Sequence, residues 1–167
     1  PPHQIEELPE RDWELEWRTR YVPIDCGNGL WVCPEGFTVP ATNPTVVRMQ
    51  PGLAFGTGTH PTTALCLNWI GKQNLHDLRV IDFGCGSGIL GIAALKLGAR
   101  HVWAVDHDPQ ALSATAQNAR QNEVGERLET LACVQGLPKD SDVLLANVLL
   151  NPLLEMAQDF AGRLRAD

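Results

Sequence analysis

An α/β fold with a doubly wound, mostly parallel sheet is predicted by three observations on this sequence. From residue 79 onward, short apolar runs alternate with helical patterns. The runs are apolar at successive positions, as strands buried on both faces require. The first run ends in Asp82-Phe83-Gly84-Cys85-Gly86-Ser87-Gly88, with glycines at alternate positions where a strand passes into a helix. The second ends in Val105-Asp106, an acid at the carboxyl end of a strand. A glycine turn followed by a strand-end acid is the pattern of nucleotide sites in doubly wound sheets.

Each element follows from its residues. Residues 1–20 are polar and acidic, with Trp13 and Trp17 one helical turn apart, and read as a linker helix. Residues 21–50 form a small β-rich segment. Two strands flank the Asn28-Gly29 turn, and a third covers residues 45–49. Residues 51–60 are a glycine-containing loop, and Pro61 stands at the first position of a helix reaching about residue 70. A strand at 79–83 precedes a helix at 89–97 stopped by Gly98. A strand at 101–105 precedes a helix at 109–122. Strands at 128–134 and 142–146 and a helix at about 152–164 complete the chain. Residues 51–167 are thus expected to make one ligand-binding domain.

Composition narrows the class. The chain has 167 residues, 44% of them hydrophobic and 20% charged, within the globular range. No apolar stretch approaches the ~20 residues of a membrane helix, and no secretory signal is visible. The net charge of −7 and the absence of any Lys/Arg run argue against phosphate-mediated nucleic-acid binding. Acidity favours cationic ligands and basic proteins instead. The five cysteines, odd in number and without a C-x-x-C, signal neither a disulfide framework nor a zinc site. Reduced thiols and a cytoplasmic location are expected, and no metal.

Alternating glycines let the backbone approach a ligand closely. Asp106, 22 residues after Gly84, is placed to accept both hydroxyls of a ribose. Counted from Gly84, the third glycine of the dinucleotide fingerprint falls on Ile89, which argues against a nicotinamide cofactor. The preceding Asp82 suits a cofactor carrying an ammonium and a sulfonium, which points to S-adenosylmethionine.

The stretch from Asp82 to Gly88 resembles the first motif of class I S-adenosylmethionine methyltransferases, whose sheets are Rossmann-like. Pro51-Gly52-Leu53-Ala54-Phe55-Gly56-Thr57-Gly58-Thr59-His60-Pro61-Thr62-Thr63 resembles the signature loop of the PrmA family. That family methylates large-subunit ribosomal protein eleven. Asn147-Val148-Leu149 is similar to its fourth motif, and the likeness runs from about Asp12 to the end. The resemblance implies an S-adenosylmethionine-dependent N-methyltransferase acting on lysine and N-terminal amines of that ribosomal protein. It also implies that the family's docking domain and the last three strands of its sheet fall outside these residues, leaving independent activity in doubt. A cofactor-binding but inactive piece, a methyltransferase of another substrate class and a dinucleotide oxidoreductase are the competing readings.

Carried over by position, the resemblance puts cofactor contacts on Thr63, Gly84, Asp106 and Asn147. Gly86 and Gly88 complete the turn, with Asp82 beside the ammonium. Asn147 is expected to orient the incoming amine, as the catalytic residue. Thr63 also fits ordinary helix-start chemistry, Asn147 a helix cap, and His60 either a base or a loop-shaping residue. Cys85 has no partnered base in the sequence, so no nucleophile is expected there.

Overall fold

The computed structural model describes residues 22–49 and 60–165. The expected helix over 1–20, with Trp13 and Trp17, and all of the expected 51–60 loop before His60, with Phe55, lie outside the described residues.

Strands β1 (Ile24–Asp25) and β2 (Leu30–Pro34) pair antiparallel, with Ile24 opposite Val32. Between them Asn28 and Gly29 both take positive φ, 52° and 77°. That is the backbone an Asn-Gly hairpin turn requires. Strand β3 (Thr45–Met49) then pairs parallel to β2, Leu30 opposite Thr45, after a connection over residues 35–44 that contains no helix.

Helix α1 (Pro61–Ile70) leads into the second sheet. Strands β4 (Arg79–Phe83), β5 (His101–Val105), β6 (Leu128–Leu131) and β7 (Val143–Ala146) are all parallel, in the order β6-β5-β4-β7. Helices α2 (Ile89–Lys96), α3 (Pro109–Gln121) and α4 (Leu150–Ala161) follow β4, β5 and β7. The strand order turns back at β4, with β5 on one side and β7 on the other. The crevice at this switch point is where doubly wound sheets bind ligands.

One core unites the two sheets. Leu30 and Val47 from the small sheet, Leu67 and Ile70 from α1, Ile92 from α2, and Val80 and Val102 from the parallel sheet are all fully buried in it. Each such side chain contributes about 1.5–3 kcal/mol by leaving water. Every residue of α2 from Ile89 to Leu95 is buried, so the helix is apolar all round. On the opposite face Ile81, Val105 and Leu137 form a smaller cluster, with Phe83 half-buried and edge-on to Phe160 of α4 at 4.8 Å between ring centres.

Two elements differ from expectation. The strand expected over 128–134 ends at Leu131, because its partner β5 ends at Val105, and a 3-10 turn over Val134–Gly136 follows. The last helix begins at Leu150, two residues early, since Pro152 in a first turn costs no hydrogen bond. It ends at Ala161 rather than 164. Arg163 turns the chain back: its carbonyl accepts the Ser141 N–H at 3.0 Å and its guanidinium donates to the Leu137 carbonyl at 2.8 Å.

Candidate functional site

The site residues converge where β4, β5 and β7 end. Gly84, Gly86 and Gly88 all have positive φ, 68°, 54° and 78°. The N–H groups of Gly84 and Cys85 both donate to the Val105 carbonyl, at 2.8 and 3.0 Å, and Gly88 N–H donates to the Cys85 carbonyl at 2.7 Å. A Cβ on Gly84 would lie 2.2 Å from Val148 Cγ1, so the residue after Asn147 packs directly on the turn. Side chains are excluded there by contact as well as by conformation.

Asp106 closes over this turn from β5. Its Oδ2 accepts the Gly86 N–H at 3.0 Å and its Oδ1 accepts the Asp108 N–H at 3.0 Å. A carboxylate oxygen has two acceptor positions, which leaves capacity on each for a hydroxyl. Capping of α3 falls to Asp108, whose side chain accepts the Gln110 N–H at 2.8 Å. Asp106 is therefore not spent as a helix cap.

Asn147 and Thr63, far apart in sequence, meet here. Asn147 Nδ2 donates to Thr63 Oγ1 at 3.0 Å, with Thr63 buried in the first turn of α1. This contact fixes the carboxamide, so its carbonyl oxygen lies on the side away from Thr63. Asn147 is not the cap of α4, whose first turn begins after Leu149 with no side-chain cap. His60 is the N-cap of α1, its Nδ1 accepting the Thr62 N–H at 3.3 Å. The Thr62 hydroxyl lies against the same nitrogen at 2.8 Å, so the ring is held by the helix start.

Asp82 is 1% exposed beneath the turn, its Oδ2 accepting the Gly91 N–H of α2 at 2.8 Å. Burial pushes its carboxyl up to about 7 against that hydrogen bond, and the charge of Asp106 adds to the effect. No cationic side chain pairs with it among the described residues. Cys85 is pushed up to about 12, chiefly by burial and then by Asp82, so the thiol is inert as a nucleophile.

Three residues of the site escape a sequence reading. Thr115 Oγ1 donates to the Gly86 carbonyl at 3.0 Å, and Asn118 Nδ2 to the Ser87 carbonyl at 2.9 Å. Gly91 lies so close to β4 and β5 that a Cβ would sit 2.8 Å from Val102 Cγ1 and 3.0 Å from Asp82 Oδ2. The signal for Gly91 is present: counted from Gly86 rather than Gly84, the chain reads G-x-G-x-x-G. Glycine spacing alone thus does not separate the two nucleotide classes, and Asp82 has to do so.

The arrangement fits a nucleoside carrying a cation. Asp106 has acceptor capacity to spare on both oxygens, the turn admits no side chains, and Asp82 is a buried carboxyl with no cationic side chain paired to it among the described residues. Among the described residues no group of His, Cys, Asp and Glu side chains could hold a metal ion.

Comparison with known proteins identifies the family. The family described as Ribosomal protein L11 methyltransferase (PrmA) matches residues 1–167. A ribosomal protein L11 methyltransferase of Methylococcus capsulatus is 55% identical over 161 residues, which is 96% of this chain and 55% of that protein. The chain spans about half the length of the curated relatives it matches. The crystal structure of a ribosomal protein L11 methylase from Lactobacillus delbrueckii subsp. bulgaricus superposes with a TM-score of 0.78 at 32% identity, covering 87% of this chain and 76% of that one. An RNA methyltransferase from Salinibacter ruber in complex with S-adenosyl-L-homocysteine shares the fold alone, with a TM-score of 0.55 at 14% identity over 60% of this chain and 68% of that one. The family match over the whole chain and the identity to these relatives show that the chain belongs to the ribosomal protein L11 methyltransferase family.

Proposed function

We propose that this chain forms the cofactor-binding part of an S-adenosylmethionine-dependent methyltransferase acting on lysine and N-terminal amines of ribosomal protein L11, in the cytoplasm. In this reading residues 51–167 are the catalytic domain, residues 21–50 a small sheet packed on it and residues 1–20 a linker. The observation that carries the reading is the meeting of three strand ends: Asp106 on the Gly86 amide, and Asn147 on Thr63.

The cofactor, when bound, supplies an electrophilic methyl on a sulfonium. Asp106 holds the ribose hydroxyls, and the Gly84–Gly88 turn gives the close approach. Thr63, whose oxygen already accepts from Asn147, keeps its own proton to donate to a carboxylate. Asp82 lies below, sealed from solvent, and a bound cofactor's ammonium would draw it into its ionised form as a counter-charge. Asn147 presents its carbonyl to the incoming amine. A lysine near pKa 10.4 arrives mostly protonated, so it must lose that proton to water before its lone pair can attack. A neutral carboxamide orients the lone pair without adding charge. Methyl transfer then depends on alignment and exclusion of water rather than on a strong base.

The test has two parts. Asp106→Ala is expected to weaken S-adenosylmethionine binding on the order of 10²-fold, two charge-assisted hydrogen bonds being lost. Calorimetry on the folded variant showing unchanged affinity would remove Asp106 from the site. In a methyl-transfer assay with purified ribosomal protein L11, Asn147→Ala is expected to slow transfer while leaving cofactor affinity nearly intact, with the Methylococcus capsulatus relative as positive control. A chain that binds the cofactor but transfers nothing supports the second reading, a binding unit that needs the remainder of its longer relatives.

A further inference from the structure

Helix α3 and its C-cap turn a narrow polar strip inward: Thr115 and Asn118 of the helix and the C-cap Asn122 are 0%, 5% and 3% exposed. Their spacing puts all three on one helix face. Polar groups in such a place cost free energy unless they are hydrogen-bonded, and apolar residues would fill the same space. Each of the three meets a backbone carbonyl of another element. Asn122 brackets Arg48 of β3, its Nδ2 donating to the Arg48 carbonyl at 2.7 Å and its Oδ1 accepting the Arg48 N–H at 2.7 Å. Thr115 and Asn118 take the carbonyls of Gly86 and Ser87 instead.

Peptide geometry gives those two contacts a direction. A trans peptide points its C=O and N–H to opposite sides. Drawing the Gly86 and Ser87 carbonyls onto α3 turns the N–H groups of Ser87 and Gly88 away from α3. Gly88 then closes the turn on the Cys85 carbonyl. The approach is close: a Cβ on Gly88 would lie 2.8 Å from Thr115 Cγ2 and 2.9 Å from Thr115 Oγ1. Glycines are the residues least able to hold such a geometry unaided, because they have the most backbone freedom to lose.

We propose that Thr115 and Asn118 are positioning residues for the cofactor-binding turn, holding its peptides in the bound orientation before the cofactor arrives. The proposal rests on the reading that this turn binds S-adenosylmethionine. Preorganisation of this kind appears in affinity, since ordering that is already done is not charged to binding. A merely structural role would appear in stability alone.

Asn122 supplies the control, being equally buried at the C-cap of α3 but bonded to β3 and to the Asn118 backbone carbonyl rather than to the turn. The probe is S-adenosylhomocysteine, titrated calorimetrically into each variant well below its melting temperature. Thr115→Val, which keeps the shape and removes the donor, and Asn118→Leu are each expected to bind about tenfold more weakly. Thr115→Ser, which restores the hydroxyl, is expected to recover most of that loss. Asn122→Leu is expected to melt earlier and bind as wild type does. If Thr115→Val does not fold, Asn118→Ser decides in its place. Thr115→Val and Asn118→Leu chains that bind as tightly as wild type would overturn the proposal, and so would an equal loss in Asn122→Leu. A wild-type chain that fails to bind S-adenosylhomocysteine would instead overturn the cofactor reading itself.

Discussion

Asp82 and Asp106 stand at the ends of neighbouring strands, yet their surroundings divide them. Asp106 meets two backbone N–H groups at the surface of the cleft, whereas Asp82 is sealed below it with one. The sequence shows both acids and their spacing; it does not show that α2 lies close enough over Asp82 to bury it. The energetic consequence is testable. An acid raised from its ordinary 3.8 to about 7 binds its proton more tightly in the folded chain than in the unfolded one. Its contribution is therefore fully present below pH 3.8 and is lost as pH rises towards 7. The loss is on the order of 4 kcal/mol once the group has ionised. Asp82→Asn, which keeps an acceptor for the Gly91 N–H, is expected to melt progressively higher than wild type between pH 4 and 7, with the gap level above that. Thermal melts across this range check it, and parallel curves for the two proteins would contradict it. His60 is a second residue whose part only the structure shows. A histidine before Pro61 reads more readily as a shaper of the loop than as a base, and the contact of Nδ1 with Thr62 N–H makes it a cap.

At the scale of elements, strands β4 and β5 are legible to the residue because each is a continuous apolar run bounded by a turn, glycine or acid. Strand β6 is legible only in part. Residues 132–134 have strand-like composition, but a ladder lasts only as long as its partner, and β5 stops at Val105. The inward strip of α3 is the least legible feature of all. Thr and Asn in a helix read as a solvent face or a cap, and the carbonyls that justify them lie about 30 residues upstream, or 74 in the case of Arg48. Gly91 tests how tightly α2 sits on the sheet. By propensity alone, Gly→Ala inside a helix gains about 1 kcal/mol. Here the new methyl would meet Val102 and Asp82, and overpacking of a full core costs about 1–3 kcal/mol. Gly91→Ala is therefore expected to lower the midpoint of denaturant unfolding despite its better propensity. A rise in the midpoint would show that α2 moves off the sheet freely.

Across the whole molecule, burial is uneven. Helices α1 and α2 and strands β2–β5 share one core, whereas α4 has no buried residue and shows Leu150 and Leu154 at 65% and 66% exposure, beside Leu149 at 81%. The double substitution Leu150→Ser and Leu154→Ser is expected to leave unfolding within about 1 kcal/mol of wild type, as exposed positions do. Urea titration measures it, and a larger loss would mean that these leucines pack against something in solution. The class of the fold was legible from alternation and glycines. The parallel pairing of β2 with β3 was not, because residues 35–44 carry no helix to announce a crossover. That pairing leaves β3 as the outermost of the described strands of its sheet, and outermost strands with bare N–H and C=O groups recruit other chains into aggregates. Asn122 occupies both groups of Arg48, standing in for a strand one residue long. Any foreign strand seeking to dock along β3 has first to evict a buried carboxamide, so a residue that fastens the small sheet also guards the chain against sticking to its neighbours.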